Sequence, residues 1–282
     1  MIFDLHNDIL TVKMFDDAVR LFDKFVEQGV SDVVCAIFTT ENLEPYNLIT
    51  TILEAFGGEQ YVKENIALNL HFAIEDLGFI TSQWLMVNDA STFFSKFLYC
   101  SLTWNEKNSL AGGAYSSGDL TNLGKQVIDV MNKANTAVDC AHLNRRSFYG
   151  AAKYSKLLIN SHTALYDITP HPRNVNKEQI NLIIQSGGVV GLCLVAEFLG
   201  GNSIDNIIEH VDYFVDKFGV NHLCIGTDFY GTQDLPKDFI NYNAFNLLTE
   251  KLLKLGYSKS NINSIFYNNA KTFQRYKVIK QV

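Results

Sequence analysis

Eight short apolar runs rich in Val, Ile and Leu alternate along this chain with longer stretches whose apolar residues recur at helical period. The runs are Ile2 to Asp8, Asp32 to Phe38, Asn69 to Glu75, Phe97 to Thr103, Thr136 to His142, Leu157 to His162, Gly188 to Val195 and His222 to Asp228. Runs of this length suit strands, in which residues i and i+2 share a face. Between the first two, Phe15, Ala18, Val19, Phe22, Phe25 and Val26 follow the i, i+3, i+4, i+7 rule of an amphipathic helix, and Gly29 supplies a stop. The pattern recurs. Leu48, Ile49, Ile52, Leu53 and Phe56 end at Gly57, and Val127, Ile128 and Met131 follow a start near Thr121. Asn176 with Gln179 resembles a capping box ahead of Ile180, Ile183 and Ile184, with Gly187 as the stop, and Ile204 to Phe218 run from a Ser203 cap to Gly219.

Eight strand and helix units in 282 residues predict an α/β protein with a (β/α)8 TIM barrel. An open doubly wound sheet more often carries five or six strands, and no G-x-G-x-x-G follows the first run. Additional C-terminal helices are expected from Leu247, Leu248, Leu252 and Leu253 before Gly256, and from Ile262, Ile265 and Phe266. The interval from Glu75 to Phe97, with Trp84, is the expected loop insertion over the top of the barrel. No fixed-period repeat, low-complexity segment or Pro-rich linker divides the chain, so a single domain over 1–282 is expected.

Charge and composition exclude several classes. The net charge is -7 and no basic run exceeds a pair such as Arg145-Arg146, which argues against a nucleic-acid partner. No apolar run is long enough to span a bilayer, and no basic segment followed by an apolar one opens the sequence, so a soluble cytoplasmic protein with no membrane partner is expected. Cys35, Cys100, Cys140, Cys193 and Cys224 are widely spaced and sit in apolar runs, which reads as small buried side chains in a reducing compartment.

In a barrel of this kind the reacting groups lie where strands meet the following loops. Run one ends in His6 and Asp8, run three in Glu75, run five in His142, run six in His162 and run eight in Asp228. If the first run is a strand, Asp4, His6 and Asp8 point the same way. Any one of these side chains is ordinarily a capped or solvated group. As a set of His, Asp and Glu without Cys at five strand ends, they suit zinc or another divalent first-row ion.

The segments Asp4-Leu5-His6-Asn7-Asp8, Leu102-Thr103-Trp104-Asn105, Asp139-Cys140-Ala141-His142, Asn160-Ser161-His162-Thr163-Ala164, His171-Pro172-Arg173-Asn174-Val175 and Gly226-Thr227-Asp228-Phe229 occur in the order expected of the membrane dipeptidase (renal dipeptidase) family of the amidohydrolase superfamily, which the chain resembles over nearly its whole length. The resemblance implies a binuclear barrel with two Zn2+ ions that hydrolyses the peptide bond of small dipeptides by a metal-bridging hydroxide. His6 and Asp8 would bind the first metal, His142 and His162 the second, and Glu75 would bridge them. Glu75 and Asp228 would be the catalytic carboxylates, with Asp228 taking the proton of the attacking water and passing it to the leaving amine. Asp76 is the alternative to Glu75 in a shifted register, although it should face away from the barrel. Arg173 offers a fork suited to a carboxylate, and the resemblance assigns it to that of the dipeptide. Related enzymes are often dimeric, which makes a homodimer the suggested assembly.

Two positions depart from the family pattern. Trp104 stands where mammalian members carry a His after strand four, so the oxyanion contact is left to Trp104 Nε1, to Asn105 or to metal alone. Tyr230 stands where family members often have a second Asp. The other histidines read as structural: His71 is expected to hydrogen-bond Asp4 across the barrel interior, His210 and His222 are structural or solvated, and His171 is a loop residue beside Arg173. A related amidohydrolase acting on N-acyl amino acids or another small acyl substrate would carry the same ligands, as would a catalytically silent metal-binding homologue.

Overall fold

The fold is taken from a computed structural model, which describes residues 1–12, 15–40, 44–56 and 68–279. Eight parallel strands pair in sequence order and close on themselves: β1 (Ile2–Asn7), β2 (Val30–Phe38), β3 (Asn69–Glu75), β4 (Tyr99–Ser101), β5 (Ala137–Asp139), β6 (Leu158–Thr163), β7 (Val190–Leu192) and β8 (Leu223–Ile225). The expected barrel is the observed one. The ladders at β4, β5, β7 and β8 are shorter than the apolar runs because the chain leaves the sheet early to build loops, and His142 and Asp228 stand three residues beyond their strands.

Helices Phe15–Glu27, Pro45–Phe56, Asn122–Lys133, Arg145–Tyr154, Lys177–Gln185 and Ile204–Phe218 form the outer layer. Their starts follow the capping signals: Thr121 Oγ1 accepts from Gly124 N, and Asn176 and Gln179 complete a reciprocal capping box. Gly187 ends its helix at φ +86°, a conformation that any side chain would strain. The stop expected at Gly57 lies outside the described residues.

The interval after β3 forms two short helices, Ser82–Val87 and Ala90–Ser95. They do not roof the barrel. Trp84 packs against Tyr46, Phe79 and Phe93 in the helical layer, and the mouth is walled instead by the loops after β4, β6, β7 and β8. The added C-terminal helices are Ala244–Lys254, Lys259–Asn263 and Asn269–Ile279, the last two joined by a π-helical turn over Ser264–Asn268. Among the described residues no helix is long and apolar enough to cross a membrane. All five cysteines are buried and free of disulfides.

Two irregularities in the sheet position the functional side chains. Between Asp4 and Asn7 three steps of β1 face two of β2, since Asp4 pairs with Val33 and Asn7 with Cys35. Between Asn160 and Thr163 three steps of β6 likewise face two of β7. Each is a bulge, which breaks strict alternation and lets two successive side chains turn the same way. Phe3 and Leu5 belong to the cluster that fills the barrel, with Val34, Ala73, Tyr99 and Ile159. Asp4 does not share their face. It accepts hydrogen bonds from Thr227 N (2.9 Å), Thr227 Oγ1 (2.6 Å) and Tyr242 Oη, and the Tyr242 ring packs at 5.0 Å on Phe25 of helix Phe15–Glu27.

The expectation that Asp4, His6 and Asp8 point the same way is therefore wrong for Asp4, which looks into the helical layer. The same bulge removes Asp4 from the reach of His71. His71 Nε2 lies 3.0 Å from Asp32 Oδ1 instead, with its ring stacked on Phe3.

Candidate metal centre

Within its bulge, β1 sends His6 into the barrel, and the hydrogen bonds Asp228 N to His6 O (3.1 Å) and Asp8 N to Phe229 O (3.0 Å) zip the end of β1 to the chain leaving β8. Asp8 and Asp228 are thereby set on one side of the mouth. Glu75 ends β3, His162 sits in the β6 bulge, and His142 rises from the loop after β5. These groups converge. His6 Nε2 lies 3.5 Å from Asp8 Oδ2, 3.7 Å from Glu75 Oε2 and 3.9 Å from Asp228 Oδ1. The other oxygen, Glu75 Oε1, lies 2.6 Å from His142 Nε2 and 3.8 Å from His162 Nε2, and those two ring nitrogens are 3.0 Å apart. One carboxylate thus faces two donor sets, His6 with Asp8 and His142 with His162.

The outer nitrogens of the rings are held in a way that frees the inner ones. Tyr99 Oη donates its single proton to Leu5 O (2.9 Å) and stands 2.8 Å from His6 Nδ1, so that ring nitrogen is the donor between them. His142 Nδ1 meets Asn105 Oδ1 at 3.0 Å, and His162 Nδ1 meets Ser161 Oγ at 2.8 Å. Holding Nδ1–H in this way leaves each Nε2 lone pair directed at the cluster, which is how metal-binding imidazoles are set. His6 Nε2 and Asp8 Oδ2 are buried and have no hydrogen-bond partner. Orphaned donor atoms of this kind, with only N and O ligand types, fit a divalent cation.

Charge crowding supports the same conclusion. Burial, then the charge of Glu75, pushes the Asp8 carboxyl up to about 6. Burial and the neighbouring Asp8 push Asp228 well above the usual carboxylate range. For Glu75 burial acts upward too, but His142 and His6 hold it well below its ordinary value. Burial and the Arg173 charge push the His142 ring down to about 4. Among the described residues lining the site, these three carboxylates meet one buried cation, the Arg173 guanidinium.

Above the cluster opens a cavity of about 630 Å³, whose wall includes Trp104, Asn105, Tyr115, Arg173, Glu197 and Phe198. Arg173 is buried, and its guanidinium turns inward: Nη2 lies 2.7 Å from His162 Nε2 and 3.0 Å from His142 Nε2, while Nη1 donates to Ala141 O. Trp104 meets Phe38 edge to face at 5.2 Å. Asn105 lines the cavity with its carboxamide oxygen on His142 Nδ1; the oxyanion contact expected of it would use the Nδ2 donors instead. Asp76 turns away from the cluster, accepting from Gly78 N, Asn108 Nδ2 and Thr40 Oγ1. His210 is a buried structural group between Leu165 N and Leu199 O, His222 meets Gly188 O, and His171 accepts from Arg173 N.

Asp139 and Ser161 stand in the segments that carry the resemblance but have no role assigned from the sequence, and Tyr99 and Gly231 carry no site expectation at all. A Cβ at Gly231 would overlap the carboxylate oxygens of Asp8 and Asp228. A Gly two residues past a strand-end Asp-Phe pair was the one available signal for close backbone approach.

Residues 95–282 match the sequence profile described as Membrane dipeptidase (Peptidase family M19). The "Uncharacterized protein in pqqA 5'region" of Klebsiella pneumoniae is 26% identical over 182 residues, which cover 59% of this chain and 67% of that one. Dipeptidase verJ of Clonostachys rogersoniana is 28% identical over 174 residues, 59% of this chain and 45% of its own, so the matched part spans less than half of that relative. Among solved structures, a metallo peptidase from Rhodobacter sphaeroides, liganded with a phosphinate mimic of the dipeptide L-Ala-D-Ala, superposes with a TM-score of 0.82 at 18% identity, covering 97% of this chain and 98% of that one.

Proposed function

Because this chain belongs to the membrane dipeptidase family, peptidase family M19, we propose that it is a metal-dependent dipeptidase whose cluster holds two Zn2+ ions. The observation that carries the reading is the pair of donor sets on either side of Glu75, with His6 Nε2 and Asp8 Oδ2 buried and unpartnered. His6 and Asp8 would hold one ion, His142 and His162 the other, and Glu75 would give an oxygen to each. Another divalent first-row ion fits the same donors. Bound there, the cations would supply a water acidified to neutral pH and an electrophile for the scissile carbonyl.

The chain's own residues do the rest. Asp228 faces the cavity with a side chain 14% exposed, more open than Asp8 or Glu75, and is the group that accepts the proton of the attacking water and returns it to the leaving amine. Its burial keeps proton affinity high enough for that exchange. Arg173 is the one guanidinium or ammonium group among the described residues lining the cavity. It receives the substrate carboxylate once the histidine lone pairs beneath it are engaged elsewhere. Trp104 and Phe38 form an apolar wall that excludes water from the reacting carbonyl, and Asn105 orients His142.

The test is hydrolysis of a panel of L-L and L-D dipeptides, with N-acyl amino acids alongside, by zinc-reconstituted protein whose metal has been counted. Dipeptide turnover at about two ions per chain is the expected outcome. Silence on dipeptides with both ions bound would move the assignment to another acyl substrate or to a binding role.

A further inference from the structure

The two bulges bring a third side chain into play. β1 and β6 are not neighbours in the barrel, yet the hydroxyl of Ser161, on β6, reaches rings on both. Ser161 Oγ lies 2.8 Å from His162 Nδ1 and 3.3 Å from His6 Nδ1. It also lies 2.7 Å from Asp139 Oδ2, at the end of β5. A serine hydroxyl has one proton and two lone pairs, and this geometry uses all three.

Asp139 is buried and fully engaged. Its Oδ2 accepts from Ser101 Oγ (2.7 Å), and its Oδ1 accepts from Ser161 N (2.9 Å) and Ala141 N (3.2 Å). With its proton directed to the carboxylate, the Ser161 hydroxyl can only accept from the imidazoles. That fixes the proton on Nδ1 in both rings. His6 Nδ1 has a second partner in Tyr99, whereas among the described residues His162 Nδ1 meets Ser161, with Arg173 Nη2 2.7 Å from its other nitrogen.

We propose that Asp139 and Ser161 form a positioning relay that sets the tautomer and orientation of His6 and His162 together, so that one buried hydroxyl organises a ligand from each half of the metal centre. The zinc part of the test rests on the metal reading above; the relay itself does not. A carboxylate behind a hydroxyl behind two rings is more than packing demands, since an alanine and a valine would fill the space without fixing any proton.

The test reads ring nitrogens and metal separately. In metal-free protein, ¹⁵N ring shifts of His162 should show a protonated Nδ1, facing the Ser161 hydroxyl, and a bare Nε2. Asp139→Asn presents an amide donor to Ser161, reverses the hydroxyl and should convert His162 wholly or partly to the Nε2–H tautomer. Ser161→Ala should weaken zinc uptake at the His162 half by about 10- to 100-fold against a chromophoric chelator, the usual cost of losing a group behind a ligand. Its effect on the His6 half should be smaller, and Tyr99→Phe should reverse that order.

An unchanged His162 tautomer in Asp139→Asn, with zinc affinities within about twofold of the parent in Ser161→Ala, would overturn the relay whatever happens to the melting temperature. If Asp139→Asn does not fold, Ser161→Ala decides by the same two readouts. A protein with the expected tautomer that takes up no zinc would refute the metal reading and leave the relay standing.

Discussion

The two ends of the barrel handle buried charge in opposite ways. At the amino-terminal end Asp32 Oδ1 accepts from His71 Nε2 at 3.0 Å and from Lys271 Nζ at 2.8 Å, with the His71 ring stacked on Phe3. An anion there is met by the Lys271 cation and by a ring nitrogen of His71. At the carboxyl end Asp8, Glu75 and Asp228 crowd around three imidazoles, and His6 Nε2 and Asp8 Oδ2 lack a hydrogen bond, as does the second oxygen of Asp32 at the other end. The first arrangement stabilises the fold by itself. The second is unfavourable until a cation fills it, which is the ordinary trade between stability and binding.

Glu75→Ala should break the carboxyl end most severely. With the shared carboxylate gone, kcat/KM for a dipeptide should fall by roughly a thousandfold or more, several kcal/mol of transition-state stabilisation. Metal analysis should show fewer ions per chain, while the metal-free protein melts somewhat lower than the parent, since His142 and His6 hold the Glu75 carboxyl below its ordinary value, but by less than a core truncation would cause. A drop in melting temperature as large as that of a core truncation would mean that the top, too, is built for stability. Gly231→Ala should act next, since its Cβ would displace Asp8 or Asp228; activity should fall about a hundredfold with the fold retained, as for misplacement of a reacting group.

Asp32→Ala provides the converse. Stranding His71 and Lys271 should cost about 3 kcal/mol of stability, read by chemical denaturation, with metal content and kcat unchanged. Loss of metal instead would erase the division between the ends. Arg173→Ala should raise KM for a free dipeptide by about tenfold or more, the scale of a charge-assisted hydrogen bond, and much less for the C-terminal amide. Equal effects on both would remove its role in holding the carboxylate.

The smallest difference is in pH. Burial pushes Asp32 up, but His71 and Lys271 outweigh it and hold the carboxyl below its usual 3.8. Its stabilising effect is therefore present above pH 3.8 and lost as pH falls below that value. Asp8 is raised to about 6, so in metal-free protein it favours the fold at low pH and loses that effect as pH rises from about 4 through 6. Asp8→Asn should flatten the upper interval and Asp32→Asn the lower one in melting curves.

Much of this was legible because strand ends and period-two faces are properties of local sequence. His6, Asp8, Glu75, His142, His162 and Asp228 stood out at run ends, and they do converge. The bulges were not legible, since an extra residue in a ladder is set by the neighbouring strand and leaves no composition signal. That is why Asp4 was placed on the wrong face and His71 given the wrong partner. Tyr99, Ser161 and Asp139 escaped for a related reason: each matters through a contact made across or around the barrel, at sequence separations of 22 to 155 residues for Ser161. Trp84 was misplaced because an aromatic in a long interval signals burial without saying where.

The join between Asp32 and Lys271 spans a separation of 239 residues, and β1 is zipped to the chain leaving β8. During synthesis, then, β1 and β2 emerge from the ribosome long before the chain leaving β8 and Lys271, their respective distant partners, exist. His6 and Asp8 lie on an open sheet edge until Asp228 and Phe229, more than 200 residues later, have been made. Circular permutation that brings β8 beside β1 in sequence should therefore speed assembly of this barrel while leaving its finished centre untouched.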